Sequence, residues 1–462
     1  MKIQILNEYH FNSYIPQVRA CEVSLGSEGT GMLFAYSQTP NVDPAESMFF
    51  MHRSPMEFAL FGAHGQMLWH RRLGMGLIPG TWLMPFIAFD MDKDGRDEIW
   101  FVNNRSERNP LNARTMILER LDSLTGKTTG EWHFPAENTE WDRLGHAFRF
   151  MIFAGYAKEE PVLVTAQGTY GDMFLQAYRP DMSLRWEKKI PVGEGARGSH
   201  SSPVFDFNGD GIDEVLWGEH MLSLDTGEEL ICFDRDRYWG HSDIVLPFID
   251  YHTKKLYLYT GREQGDYDGC PRVVTFDLAS GQPVWEDIYS EEWGDYIDDG
   301  HIHYGWVAAI RPNYRKIAFA YRKREKKKLA EAHVYNALTG EPIAFPFPYE
   351  LNHMRPIDLN GDGYHEFLFW QEGETNVFVV DSDGKKVGYT GGKLIHIGKH
   401  YNYPGEQFMV SYPEEGIVRI WGDVEAEESE AFLERYHNGF LKNMMKMKGS
   451  GYNWLTSIDC AF

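Results

Sequence analysis

Short apolar runs of four to eight residues recur along the whole chain, each closed by a turn rich in Gly, Asp, Asn or Pro, and this is the pattern of buried β-strands rather than of helices. They come in pairs, SPVFDF then EVLWG (202–218) or GWVAAI then KIAFAY (305–321). After each pair comes a strand end, a polar or glycine turn and a second strand, often with Trp. The stretches are FGAHGQMLWH (61–70), LDSLTGKTTGEW (121–132), YRPDMSLRWEKK (178–189), LDTGEEL (224–230), FDLASGQPVW (276–285), YNALTGEPIA (335–344) and VDSDGKKVGY (380–389). These are β-hairpin signals. Four strands per repeat at intervals of roughly 45–65 residues define a propeller blade. EQFMVSYP and GIVRIWGD (406–423) supply an eighth set, and MKIQILN at the amino terminus is free to close it, leaving no open sheet edge. The pattern predicts an all-β fold, a β-propeller of eight blades (seven being the alternative), over residues 1–425. In the 426–462 tail, the spacing of EESEAFLERYHNGFLKNMMKM predicts a helix that packs on the ring. The hairpins show no regular tryptophan-docking repeat.

One acidic loop is written three times between such strands. Its frame, D-x-[DN]-x-D-G-x-x-E, gives Asp90, Asp92, Asp94 and Glu98; Asp206, Asn208, Asp210 and Glu214; and Asp358, Asn360, Asp362 and Glu366. Alternating oxygen side chains, a glycine for the turn and a closing glutamate are what a Ca2+ loop requires. The strand flanks and the early glutamate separate it from an EF-hand. A plain Asp/Asn/Gly turn is the competing reading. Repetition favours structural Ca2+ pinning the turn after each innermost strand.

Charge narrows the partners. Across 462 residues the net charge is −23 with no basic stripe, which argues against nucleic acid. No run approaches the 18 apolar residues of a membrane span. The amino terminus lacks the order of a signal peptide, so the expected location is cytoplasmic, or extracellular if a leader has been removed. Cys21, Cys232, Cys270 and Cys460 have no metal or redox spacing and read as free thiols.

Histidines gather just before the expected inner strands. GHAFRF carries His146, RGSHSSP carries Arg197 and His200, and WGHSD carries His241; DDGHIHYGW carries His301, His303 and Tyr304, NHMRP carries His353 and Arg355, and GKHYNYPG carries His400. Any one of these reads as a satisfied strand-end contact. Six at equivalent positions, about 20 Å from the acidic loops, predict a ring at the channel mouth whose imidazoles could also bind a transition metal. Basic loops join the same rim: Tyr321 to Glu331, Arg105, Arg108 and Arg114, His52 with Arg53, and Arg262 with Tyr267. A basic rim on an acidic protein suits an anionic ligand.

These loops, hairpins and strand-start histidines resemble those of the calcium-stabilised β-propeller polysaccharide lyases: rhamnogalacturonan lyases, ulvan lyases and enzymes acting on rhamnose–glucuronate linkages. The resemblance is architectural and covers most of residues 15–423. It implies a lyase that cleaves an acidic, uronate-containing poly- or oligosaccharide by β-elimination. A base removes the proton on C5, a cation neutralises the adjacent carboxylate, and an acid protonates the leaving oxygen. In that scheme Arg197 or Arg355 is the neutraliser, His200 and His303 are base candidates, and Tyr304 is the acid. His241 and His353 position the sugar, and His146, His301, His400, Arg262 and Tyr267 bind it. In several such lyases two histidines about twenty residues apart act together, a spacing that His200 and His220 share. A hydrolase on the same scaffold, resembling the rhamnosidases, and a non-catalytic glycan- or protein-binding propeller are the alternatives.

Overall fold

The computed structural model describes residues 1–44, 51–136, 144–263, 270–287, 299–312, 316–324, 329–344, 354–370, 376–400, 403–437, 439–454 and 461–462. Among them are eight antiparallel sheets, seven four-stranded and one three-stranded. Blades 1 to 7 follow chain order, and blade 8 is completed by the amino-terminal strand Ile3–His10, paired with Ile417–Asp423. The expected eight-bladed ring with its end-to-end closure is therefore the observed one. In blade 6, where three strands are described, an isolated bridge from Tyr335 to Pro342 stands in the place of a fourth.

The innermost strands are Gln17–Ser24, Phe86–Phe89, Phe150–Ala157, Val204–Phe205, Ser242–Asp250, Asp299–Ala308, Met354–Ile357 and Lys393–Gly398. Neighbouring inner strands pack against one another around the axis. Buried on both faces, they read as continuous apolar runs such as FIAF and FMIFAG. Outer strands alternate, as in MLWHRR and TTGEWH, because one face is wet.

Tryptophan docking does not run through every blade, but it recurs at blades 1, 3 and 5. Trp69, Trp186 and Trp285 each sit on the outer strand of an odd blade and donate Nε1–H to a hairpin carbonyl of the next blade. The acceptors are Ser123 O at 2.7 Å, Leu224 O at 2.8 Å and Ala337 O at 2.8 Å. Each ring covers a hairpin glycine, Gly126, Gly227 or Gly340, held at φ +66°, +70° and +72°. Only glycine fits there, since the backbone is left-handed and an added Cβ would meet the indole. The signal lay in the pairing of an odd-blade Trp with the following blade's T-G turn.

The carboxy-terminal segment does more than cap the ring. Helices Glu430–His437 and Gly439–Lys446 lie over the acidic-loop rim, where Glu427 N donates to Asn360 O, Ser429 N to Gly361 O, and Lys446 Nζ to Asp97. Residues 447–454 then run down the central channel. Gly449 O accepts from Phe86 N and from Arg19, Ser450 Oγ accepts from Ile152 N, and Asn453 Oδ1 accepts from Ser202 N. Tyr452 N reaches His200 O at the far end. The channel is filled by the chain's own tail, which surfaces beside the strand starts.

Candidate active site

A cavity of about 550 Å³ opens at the rim where the inner strands begin. His200, His303, Tyr304 and Arg355 line it, together with Asp243, Arg19, Tyr321, Trp370, Tyr452 and Trp454. Four residues expected to carry chemistry thus meet at one opening, about a strand length from the acidic loops.

Asp243 organises the cluster. Its Oδ1 lies 3.1 Å from His200 Nδ1 and 3.2 Å from His241 Nε2, and its Oδ2 lies 3.1 Å from His303 Nδ1. Both Asp243 and His303 sit at register shifts, between Ser242 and Ile244 and between Ile302 and Tyr304. Such bulges re-aim a side chain out of the strand's alternation. Sequence reading missed Asp243, whose only signal was its place two residues after His241.

The back wall is aromatic. Tyr170 stacks on His146 with centroids 4.6 Å apart, lies 4.5 Å from the His241 ring, and places its hydroxyl 3.2 Å from His200 Nε2. Arg149 sits over Trp82 and Tyr170, and pairs with Asp43 at 3.1 Å. Tyr452 packs on Trp82 and His200 with centroids 4.8 and 5.0 Å apart. Burial holds the His200 imidazole well below its ordinary range, and pushes the Tyr452 phenol up to about 12. His303, by contrast, keeps 47% of its side chain exposed.

Other expectations need correcting. Arg262 is wholly buried in ion pairs with Glu219 at 2.6 Å and Asp234 at 2.9 Å, so its guanidinium is spent on the fold. Arg197 Nη1 donates to Tyr170 O, bracing the wall without lining the cavity. The Tyr304 hydroxyl donates to Met354 O at 3.2 Å, and its ring lies under Arg355. His400 follows the inner strand Lys393–Gly398, which sequence reading overlooked, and so falls on the acidic-loop rim; its ring lies 3.1 Å from Glu22 and 3.1 Å from His396. His220 lies on the third strand of blade 4, bonded to Ala196 O and Glu229. His353, Tyr267 and the His301 side chain lie outside the described residues, as do Lys326, Lys327 and Lys328 of the basic loop.

At the opposite rim the three acidic loops share one hydrogen-bond pattern. The first aspartate accepts from the Gly95, Gly211 or Gly363 amide, and the closing glutamate accepts from Met91, Phe207 or Leu359 N at 2.9, 2.9 and 3.0 Å. Oxygens of Asp90, Asp92 and Asp94 lie within 4.8 Å of one another. Burial first, then the neighbouring carboxylates, pushes Glu98 up to about 7, Glu214 to about 8 and Glu366 to about 9. An all-oxygen donor set of crowded carboxyl groups fits a hard cation.

Comparison with known proteins follows the same architecture. A Bacillus subtilis rhamnogalacturonan exolyase, YesX, is 29% identical over 217 residues, covering 40% of this chain and 36% of that protein. The rhamnogalacturonan endolyase YesW of the same organism is 24% identical over 285 residues, covering 49% and 45%. The matched segments thus span less than half of those relatives. The crystal structure of the exotype lyase YesX superposes with a TM-score of 0.77 over 96% of this chain and 80% of that one, at 17% identity. The Bacillus licheniformis rhamnogalacturonan lyase structure gives 0.74 over 95% and 77%, at 18% identity. No protein-family model matches the chain.

Proposed function

We propose that this chain, a relative of the rhamnogalacturonan lyases in sequence and a sharer of their fold, is a polysaccharide lyase that cleaves a uronate-containing glycan by β-elimination in the cavity at the strand-start rim. The observation that carries the reading is the convergence of His303, Arg355 and a single carboxylate, Asp243, on that cavity. His303 is the base: Asp243 holds Nδ1, which turns Nε2 towards the cavity as an acceptor for the C5 proton. His200 is the poorer base, because its ring is buried and both nitrogens have neighbours, Asp243 and the Tyr170 hydroxyl. Arg355, held flat over Tyr304 and Trp370 at 4.8 and 5.0 Å, faces the uronate carboxylate and stabilises the charge that builds up as the proton leaves. Tyr321, on the cavity wall, is the proton donor to the leaving oxygen at C4. The bond to that oxygen breaks as the C4–C5 double bond forms.

Elimination is preferred to hydrolysis on one further ground. Most glycoside hydrolases use two carboxyl groups flanking the bond, and among the described lining residues Asp243 is the sole acid. Structural Ca2+ at the three loops belongs to the same reading, with the Asn360 and Gly361 carbonyls and Asp358, 3.5 Å from Arg435, tying the third loop to the helical cap. Incubation with rhamnogalacturonan oligosaccharides, followed by the ultraviolet absorbance of an unsaturated uronate, tests the proposal. A saturated product would show hydrolysis, and binding without product would make the propeller a lectin-like module.

A further inference from the structure

We propose that Glu219 and Arg262, a buried ion pair that does not line the cavity, are positioning residues that aim Asp243 at the base through Ser242. The inference rests on the reading of His303 as that base. Asp243 is the extra residue of its bulge: Ser242 pairs with Arg262 on the next strand, and Ile244 pairs with Gly261. An extra residue has no cross-strand partner, so its direction is set by what holds its neighbours. Both neighbours are held from behind. Ser242 Oγ donates to Glu219 Oε1 at 2.8 Å, and His241 O accepts from the Tyr238 hydroxyl and from Glu263 N.

The clamp is built from two blades. Glu219 lies in the two-residue turn between the blade 4 strands Glu214–Trp217 and His220–Ser223, and its side chain crosses to blade 5. Arg262 ends the second strand of blade 5, Lys255–Arg262, directly opposite Ser242. Its Nε and Nη2 donate to the two Glu219 oxygens at 2.9 and 2.6 Å, the forked geometry of a strong pair. Its Nη1 donates to Asp234 Oδ2 at 2.9 Å and to Pro271 O at 3.2 Å, and the guanidinium lies 4.1 Å from the Tyr238 ring centroid. Glu219, Ser242 and Arg262 keep no exposed surface.

Stability alone is a poor reason for this cluster. The desolvation of a buried ion pair cancels most of its attraction, and well-packed apolar residues of the same size often do as well. What the pair adds is one geometry. Apolar side chains would fill the volume but leave Ser242 Oγ without its acceptor and the bulge free to relax. The contacts run without a break from Arg262 to Glu219, to Ser242, along the chain to Asp243, and from Asp243 Oδ2 to His303 Nδ1 at 3.1 Å. A catalytic group displaced by about 1 Å loses about a hundredfold in rate.

The test uses the full chain carrying nitrogen-15 histidine, at a pH where a free imidazole is neutral, with His303→Ala to assign the His303 signals. The wild-type ring is expected in the single tautomer with its proton on Nδ1, held by Asp243. Ser242→Ala deletes one hydroxyl and leaves the ion pair intact. It is expected to spread the proton over both nitrogens and to lower kcat by about ten- to a hundredfold with KM little changed. Ser223→Ala, at a buried serine of blade 4, is expected to alter neither readout. A wild-type ring not protonated on Nδ1, or a folded Ser242→Ala protein with the wild-type tautomer and kcat, would overturn the proposal. Should Ser242→Ala fail to fold, Tyr238→Phe, which deletes the hydroxyl on His241 O, takes its place in the same test. The spectra need no substrate. Absence of elimination by the wild type would therefore sink the lyase reading, while the tautomer still decides whether the clamp aims Asp243.

Discussion

The Nδ1 atom of His303 stands 3.1 Å from Oδ2 of Asp243, and each of the two residues occupies a bulge at the start of its inner strand. The carboxylate fixes both the tautomer and the direction of the exposed ring. His303→Ala removes the base and is expected to lower kcat by about 10²–10⁴-fold with KM little changed. Asp243→Asn leaves the ring in place without its anchor and is expected to lower kcat by a similar amount. Steady-state kinetics on the unsaturated product checks both; a His303→Ala protein as fast as the wild type ends the assignment.

Arg355 contributes charge and a flat face together. Its guanidinium lies between the rings of Tyr304 and Trp370, where a lysine ammonium would keep the charge but lose the stacking and the fork of donors. Arg355→Ala is expected to lower kcat/KM by about 10²–10³-fold, and Arg355→Lys to recover part of that. Substrates whose uronate carboxyl is methyl-esterified should lose the difference between the variants. Equal losses on both substrates would place Arg355 outside carboxylate recognition.

Much of this architecture was legible along the chain because blades repeat. Strand pairs, hairpins and the D-x-[DN]-x-D-G-x-x-E loops each recur, and recurrence turns weak local signals into a ring. The site was legible only in part. His200, His303 and Arg355 were found because they sit just before or near the start of inner strands, but Asp243 was not, since a bulge decides its direction and bulges leave no period in the sequence. Arg262 misled because a lone arginine near a basic loop looks solvent-facing, whereas Glu219 and Asp234 bury it from two other segments. His400 misleads because KLIHIG, six residues closed by glycines and carrying a lysine and a histidine, is a weak strand signal, and without that strand the following turn falls on the wrong rim.

Calcium removal should act on stability before chemistry. In each acidic loop, buried glutamates crowd the aspartates of the same turn, so bound Ca2+ relieves repulsion in the folded state alone and stabilises it by mass action. A calcium-selective chelator is expected to lower Tm, with Ca2+ restoring it and Asp206→Ala lowering the Ca2+ stoichiometry by one. The third loop carries the helical cap, so Asp358→Ala should cost more than Asp206→Ala. Differential scanning calorimetry at several Ca2+ concentrations checks this, and a Tm independent of Ca2+ would refute it.

Acid should destabilise the cap through His365. Its Nδ1 lies 2.7 Å from Ala309 O and its Nε2 accepts from Arg435 at 2.8 Å, an arrangement open only to the neutral ring. Burial, then the Arg435 charge, lowers its pKa to about 3. Unfolded histidine titrates near about 6.5, so between those values the unfolded chain binds the extra proton and stability falls as pH falls. Above that window the group has no effect. The slope is about 1.4 kcal/mol per pH unit inside it. His365→Gln keeps an acceptor for Arg435 and should flatten the Tm profile below pH ~6, measured in saturating Ca2+; an unchanged slope would assign acid lability elsewhere.

The tail in the channel links stability to the site. Met447, Ser450 and Asn453 are fully buried, and their segment satisfies Arg19 and the amides of Phe86, Ile152 and Ser202. Deleting residues 447–462 exposes these donors to an empty bore. At about 1–3 kcal/mol for each polar group left without a partner, the loss is comparable to the whole stability of a domain. Truncation is therefore expected to give unfolded or aggregated protein. Trp454 sits at the end of that segment on the cavity wall, where an indole can stack on a sugar ring. Trp454→Ala should leave Tm close to the wild-type value and raise KM by about three- to tenfold, with kcat preserved. A truncated chain that folds and turns over normally would show that the tail is a passenger, because a filler that supplies both the channel's polar partners and a cavity wall cannot be removed without losing both.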